Sequence, residues 1–328
     1  MKVALVGGGN LGEQAAQSLR RIRGVEVTGV YDIRAEAAER LAELCRTEAF
    51  TCYEDLVAKT EADVVCVYLP TYIQKQYIMM AIEQGKHVIC EAPLAATAAE
   101  AEHIMAAAAA KGVRLFAGHT GKFAPYLNNI KDKLTKGSIG QPGVVHIQHS
   151  GPSPVGYEDW YNDSAKSGGV IWQQLIHDIF LMRWMLGDVK TIYAMNRVVH
   201  GTEYASVTLR FRTGAIANIT GHWGDPDAYR CRMELAGNNG VIRYDSRNTG
   251  SFELKKKRGP GHAVTVDSPM VHSPYYDQLE HFIGCLKFGT PSEITLEDAH
   301  QSLQLAEAAL HSAETGMPAA WEGYSWKN

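Results

Sequence analysis

Two stretches of the chain join a glycine pattern to polar groups at spacings suited to a nucleotide. Val3-Ala4-Leu5-Val6 runs into Gly7-Gly8-Gly9-Asn10-Leu11-Gly12, a GxGxxG pattern directly after an apolar run and at the opening of a helical stretch. In that setting Gly7 permits a tight turn, Gly9 lets a pyrophosphate approach the backbone, and Gly12 permits close helix-to-strand packing. The helix N-terminus adds N–H groups and its dipole. The next apolar run ends in Val30-Tyr31-Asp32, twenty residues beyond Gly12, where a carboxylate can accept both ribose hydroxyls of an adenosine. A carboxylate there repels a 2′-phosphate and favours NAD over NADP, although Arg34 offsets part of that repulsion.

Other polar groups suit the reacting end of such a site. Glu91, in Cys90-Glu91-Ala92-Pro93, ends a later apolar run and is placed to meet a cofactor ribose, because ligands of open α/β sheets lie beyond the carboxyl ends of the strands. Farther on, Gly168-Gly169-Val170-Ile171-Trp172-Gln173-Gln174-Leu175-Ile176-His177-Asp178 opens a helix with Gln173 and His177, four apart, on one face. Asp178 lies about 100° round from His177 and is not automatically its partner. A neutral imidazole suits the uptake of the proton that leaves a hydroxyl on oxidation. Spacing alone leaves His177 open between that role and a structural one. Residues 150–167 carry Tyr157, Glu158, Asp159, Trp160, Tyr161 and Asn162, a mixture that suits either gripping a sugar ring or pinning the loop to the surface. His146 and His149, three apart on an alternating strand, point to opposite faces, and no Cys or carboxylate completes a metal set with them.

These residues need elements to hold them. Through Gly118, short apolar runs (3–6, 25–31, 64–69, 87–90 and 113–117) alternate with helical patterns such as 35–45, 72–84 and 97–111. Near-continuous apolar runs separated by helices predict a doubly wound parallel sheet buried on both faces. After Pro125 the rhythm predicts a helix to about residue 137, a strand at 144–149, a loop over 150–167 and a helix over 169–186. Alternation dominates 190–266: residues 205–211 read as a strand, and 234–236 with Asn238-Asn239-Gly240 and 241–244 as a hairpin. Helices at 275–287 and 296–315 close the chain. The fold class is therefore α/β plus α+β, with residues 1–121 as a Rossmann-type unit and 122–328 as a second unit built on a large open, mostly antiparallel sheet.

Composition narrows the partners. The 328 residues, 45% hydrophobic and 21% charged, suit two globular domains. A net charge of -4 supplies no broad basic field for a nucleic acid. The one basic run, Lys255-Lys256-Lys257-Arg258, reads more simply as a solvated hairpin end than as an anion patch or targeting signal. Six cysteines without CxxC spacing read as reduced thiols. The start lacks a signal-peptide stretch and no apolar run approaches 18 residues, so the expected compartment is the cytoplasm, with no membrane partner.

The glycine turn, Asp32, residues 81–93, the Gly118-His119 to Pro125 segment, the Gly168-Gly169 to His177-Asp178 helix and the closing Ser312-Ala313-Glu314-Thr315-Gly316 occur in the order seen in the Gfo/Idh/MocA family, which the chain resembles over essentially its whole length. The resemblance implies a Rossmann domain joined to an open-sheet domain, NAD(P)-dependent hydride transfer at a sugar, inositol or sugar-acid carbon, and homodimers or homotetramers through the sheet. It makes His177 the general acid/base and the survivor of a Lys-Asp-His group. The usual Glu-Lys-Pro is Glu91-Ala92-Pro93 here, the acidic residue four before the histidine is Gln173, and Leu69-Pro70-Thr71 stands at the Thr-Pro-Asn-like turn. Lys122 falls where relatives carry Arg and is a second candidate for a catalytic charge. Candidate substrate contacts are His119, Tyr157, Trp160, Tyr161, Trp172 and Gln173; candidate cofactor contacts are Gly7, Gly9, Asn10, Leu11, Gly12, Asp32, Arg34, Leu69, Pro70 and Glu91. The departures leave open a redox-neutral use of bound NAD (elimination, epimerisation or glycoside cleavage), a non-catalytic NAD-binding regulator, or a reductase with another acceptor.

Overall fold

Val3, Ala4, Leu5 and Val6 are all fully buried, as a strand at the middle of a covered sheet requires. In the computed structural model, which describes residues 1–247, 252–257, 262–267, 272–322 and 325–327, they form β1 (Lys2–Val6). It is followed by β2 (Glu26–Tyr31), β3 (Ala49–Phe50), β4 (Val64–Val67), β5 (His87–Glu91) and β6 (Leu115–Gly118). All pair parallel, in the order β3-β2-β1-β4-β5-β6. The chain between them forms α1 (Asn10–Leu19), α2 (Ala35–Cys45), α3 (Tyr53–Thr60), α4 (Thr71–Glu83) and α5 (Ala98–Lys111). The alanine-rich α5 is fixed at its start by the Thr97 hydroxyl, which accepts the Glu100 N–H. Strand β3 has no counterpart in the sequence reading, because two residues at a sheet edge leave no periodic signal.

The remainder builds the second sheet. After α6 (Pro125–Thr135) come β7 (Pro142–Gly151), a 3-10 segment (Tyr157–Asn162), α7 (Ser164–Ser167) and α8 (Ile176–Leu186), then β8 (Val189–Val199), β9 (Thr202–Phe211), β10 (Ile216–Trp223), β11 (Arg230–Gly237) and β12 (Gly240–Asp245). A two-stranded ribbon, β13 (Phe252–Lys257) with β14 (His262–Asp267), precedes α9 (Pro274–Phe288), α10 (Leu296–Thr315), β15 (Ala319–Glu322) and β16 (Ser325–Lys327). The eight-stranded order is β12-β11-β7-β10-β9-β8-β15-β16, with β7 and β10 parallel and the other recorded pairs antiparallel. The expected hairpin forms, with Gly237 opposite Gly240 and Asn238-Asn239 as its turn. Of the basic run, Lys255 to Lys257 belong to β13, and Arg258 lies outside the described residues.

One expected helix is irregular. The stretch from Gly169 to Leu186 is helical throughout, but Ile171–Leu175 forms a wide π turn before α8 begins. The Glu203 carboxylate of β9 accepts the Val170 N–H at its start, and Gly169, at φ 70°, leaves room for that carboxylate, which a Cβ would meet at 2.3 Å. The closing helices return to the first sheet: Phe282 of α9 stacks on Phe116 of β6 with centroids 4.9 Å apart, and Glu307 of α10 accepts the Ala98 N–H at 2.7 Å. The carboxyl ends of the first sheet thus stand against one face of the second.

Candidate active site

The glycine turn is built for close approach. Gly7 sits at φ 108°, and a Cβ there would lie 2.2 Å from the carbonyl oxygen of Tyr68, the residue after β4. A Cβ on Gly12 would lie 1.8 Å from the Gly7 carbonyl oxygen, so α1 can pack on the turn only with glycine at that position. Gly9 differs: nothing lies within 4 Å of where its Cβ would stand. That open space lies beside the exposed first turn of α1, where Asn10 and Leu11 follow and orphan N–H groups face outward. The residues present fit a dinucleotide pyrophosphate.

Asp32 closes this end. Its Oδ2 accepts the Gly8 N–H at 2.7 Å, and its Oδ1 accepts the Arg34 N–H at 2.9 Å and the Arg34 Nε at 3.0 Å. Burial works against the carboxylate, but the Arg34 guanidinium and the two backbone N–H groups outweigh it and hold the carboxyl below its ordinary 3.8. Arg34 in turn lies over the Tyr157 ring, 5.1 Å from its centroid, so the loop of the second domain reaches the adenosine end. Leu69 and Pro70 follow β4 beside Gly7, and Pro70 caps α4.

Glu91, at the end of β5, is buried. Gln278 of α9 donates to its Oε1, and Thr120 lies 3.5 Å from Oε2. Burial raises its carboxyl from 4.5 to about 7 against those two hydrogen bonds. Gly118 has no Cβ because the Glu91 carboxylate lies 2.5 Å from where it would be.

Thr120 and Tyr275 link Glu91 to a cavity of about 390 Å³ whose walls include Tyr161, Gln173, Gln174, His177, Trp223 and Tyr229. His177 rises from α8, and the buried His119 ring meets it edge-on at 5.3 Å while stacking on Phe180 at 3.9 Å. Both ring nitrogens of His119 are buried without a partner, and burial drives it well below 6.5, so it is neutral. Burial likewise lowers His177, with Asp178 opposing and His149 assisting, so His177 is a neutral imidazole at pH 7. Gln173 donates Nε2 to the Ser167 carbonyl at 2.6 Å and lies 3.3 Å from the Thr71 hydroxyl, which ties the π turn to the start of α4. Trp223 donates Nε1 to Gln174 at 2.9 Å.

The expected residues separate into three sets. Gly7, Gly9, Asn10, Leu11, Gly12, Asp32, Arg34, Leu69 and Pro70 gather at the first sheet's carboxyl edge, with Glu91 at its floor. His177, Gln173 and Tyr161 line the cavity and His119 backs it. Tyr157, Trp160, Trp172 and Lys122 lie outside the cavity's walls. Tyr157 stands on Arg34; Trp160 is buried against Tyr72 and Tyr161; Trp172 is buried beneath Gly168. Contrary to expectation, Lys122 does not present its charge there: its ammonium donates to the Glu293 carbonyl and lies 5.7 Å from the Trp184 ring. The expected separation of His146 and His149 holds, with His146 exposed and His149 buried. Sequence reasoning missed the partners of His149. Its Nε2 lies 2.9 Å from Asp178 of α8, and its Nδ1 meets the Tyr229 hydroxyl. Asp178 is thus the partner of His149 and not of His177. The available signal was His149's place on the buried face of an alternating strand, where a polar ring needs a partner.

Residues 1–119 match the model of an oxidoreductase family with an NAD-binding Rossmann fold, and residues 127–243 match the Gfo/Idh/MocA C-terminal domain. The chain is 30% identical to an inositol 2-dehydrogenase of Salmonella paratyphi B, over 96% of this chain and 95% of the relative. It is 26% identical to a myo-inositol 2-dehydrogenase of Thermotoga maritima, over 96% of each. The crystal structure of GenD2 from gentamicin A biosynthesis, solved in complex with NAD, superposes with a TM-score of 0.89 at 24% identity, over 98% of this chain and 97% of that one. No helix among the described residues is long and apolar enough to cross a membrane. The order of motifs, the two joined sheets and the matched domains make the chain a member of the Gfo/Idh/MocA family of oxidoreductases.

Proposed function

We propose that the protein is an NAD-dependent dehydrogenase of a cyclic polyol or sugar hydroxyl, with residues 1–121 holding the dinucleotide and 122–328 the substrate. The observation that carries this reading is the neutral His177 in a cavity walled by aromatic rings and amides, next to a glycine turn with open space at Gly9. Gly7, Gly9, Asn10, Leu11 and Gly12 hold the pyrophosphate, Asp32 and Arg34 the adenosine ribose, and Leu69, Pro70 and Glu91 the nicotinamide half. NAD held there would supply the two-electron acceptor for a hydride from the carbinol carbon, and His177 would take the hydroxyl proton as the carbonyl forms. His177 takes that proton because burial keeps its imidazole neutral. Gln173 and Tyr161 orient the ring, and His119 supports His177 from behind. NAD is preferred over NADP because the Asp32 carboxylate at this end repels a 2′-phosphate and the Arg34 guanidinium is engaged with it.

The relatives named as inositol 2-dehydrogenases support a polyol, and the aromatic rings and amides of the cavity walls suit its hydroxyls. The free thiols, four of them buried, suit a reducing cytoplasm. Met195, Tyr204, Ile216 and Val241 are exposed on the open face of the sheet and support a homodimer or homotetramer formed through that face. The test is spectroscopic: protein mixed with NAD or NADP and a panel of inositols, sugars and sugar acids should form NADH from a neutral polyol. His177→Ala should abolish that signal. Product formed from tightly held NAD without net NADH would replace the dehydrogenase reading with redox-neutral chemistry.

A further inference from the structure

Position 92, where the resemblance places a lysine, carries a methyl group, and among the described residues the cavity walls include no Lys or Arg. Oxidation of a hydroxyl builds negative charge on its oxygen, and a fixed positive charge nearby lowers the barrier. Among the described residues that line the cavity, one histidine stands against a carboxylate. His149 of β7 faces Asp178 of α8, with Nε2 at 2.9 Å from both carboxylate oxygens and both side chains less than a tenth exposed. Asp178 has no other hydrogen-bonding or ionic partner recorded among the described residues. Either an Nε2–H imidazole or an imidazolium can donate to that carboxylate, and the close approach of Nε2 to both of its oxygens, away from water, favours the charged ring. An imidazolium has two N–H groups and no acceptor, so its Nδ1 donates to the Tyr229 oxygen and leaves the phenol hydrogen free for another acceptor.

We propose that His149 is the cation of this active site, an imidazolium held by Asp178 and coupled through the Tyr229 hydroxyl to the reacting oxygen, in place of the lysine absent at position 92. The proposal rests on the dehydrogenase reading above. No proton leaves Tyr229 in this arrangement: it polarises the oxygen while His177 takes the substrate proton. The groups facing His149 agree. From α8 come Asp178 and the neutral His177; from β11 comes Cys231, directly opposite in register, and from the residue before that strand Tyr229; from β10 comes Gly221, which brings no charge. Burial alone would lower His149, but the Asp178 charge and hydrogen bond raise it well above 6.5. The Tyr229 ring is largely exposed, but its hydroxyl meets the buried His149, and the desolvation there raises the phenol against the pull of His149, so it stays protonated. The two histidines are thereby set to opposite charge states, base and cation, in one cavity.

Two measurements test this. Nitrogen-15 NMR of the histidine rings in the free protein should show a ring doubly protonated above about pH 7.5, assigned by its loss in His149→Gln. In steady-state assays with NAD and the inositol panel, His149→Gln should lower kcat by about 10²-fold with KM for the polyol changed little. Adding Ala92→Lys to that variant should restore at least about tenfold. Tyr229→Phe, which keeps the ion pair, should lower kcat by about tenfold or more and serves where His149→Gln fails to fold. A neutral ring at pH 7.5, an unchanged kcat in folded His149→Gln or Tyr229→Phe, or no rescue by Ala92→Lys overturns the proposal. Absence of NADH with every polyol in the unmodified protein overturns the dehydrogenase reading, and the proposal falls with it.

Discussion

Glu91→Gln isolates the cost of burying a carboxylate at the floor of the cleft. Glu91 is about 8% exposed, and its hydrogen bonds from Gln278 and Thr120 only partly offset the lost hydration. Its carboxyl is raised from 4.5 in a free chain to about 7 in the fold. At roughly 1.4 kcal/mol per pH unit, that displacement is worth about 3 kcal/mol. A raised folded value fixes the sign: the folded state binds the proton more tightly, so the contribution is fully present below about 4.5 and is lost as pH rises through about 7. Glutamine cannot ionise and retains an acceptor for the Gln278 amide. Urea unfolding of both proteins at pH 4.5 and pH 8 measures the effect as a difference of differences, which removes titrations common to both. The variant should gain about 3 kcal/mol on the unmodified protein between the two pH values. A stability difference that stays within about 0.5 kcal/mol across that range would refute the argument, because an ionised Glu91 would then be solvated in the native state.

The acid limb of kcat/KM for polyol oxidation should lie below pH 6.5, since burial lowers His177, and His177→Ala should cost about 10²- to 10⁴-fold, read from pH-rate profiles. Gly12→Ala should destabilise the fold by about 3 kcal/mol or prevent folding, because its Cβ would meet the Gly7 carbonyl at 1.8 Å. Gly9→Ala should leave the melting temperature within about 2 °C yet weaken NAD binding about tenfold or more by calorimetry, because its Cβ enters the open space that the pyrophosphate needs. Asp32→Ser should lower the ratio of the NADP to the NAD dissociation constant at least about tenfold by removing the carboxylate. Gln173→Glu should cost about 1 to 3 kcal/mol at pH 8 by placing a carboxylate oxygen against the Ser167 carbonyl, with stability recovering as the glutamate is protonated.

The dinucleotide end was legible because each of its requirements is local. A strand, a glycine turn and a helix follow one another within twenty residues, and the steric demands at Gly7 and Gly12 come from that turn and the adjacent β4. The 296–315 helix and the 238–239 turn were equally plain, since caps and turn residues act over three or four positions. The π turn at Ile171–Leu175 was not, because a 3.6-residue period reads straight through a local widening. The loop aromatics announced contact without saying with what: Tyr157 reaches Arg34, whereas Tyr161 reaches the cavity. Lys122 was misjudged because its partner, the Glu293 carbonyl, lies 171 residues away and carries no side-chain signal.

The same distance explains why the departures at Ala92 and Gln173 read from sequence as losses. His149 and Asp178 are 29 residues apart and His149 and Tyr229 are 80 apart, so their meeting depends on β7 lying between β10 and β11 with α8 across that face. Gln173 is likewise no vacant carboxylate position: its amide is bound to a carbonyl that would oppose an acid. A lysine at 92 and a carboxylate at 173 would balance each other's charge, and removing both leaves that balance intact. Asp178 and His149 meet in the same cavity, and the proposed imidazolium would make them a second balanced pair there. On the proposal above, alanine at 92 and glutamine at 173 together leave the cavity's charge balance intact, and a change at either position alone would upset it.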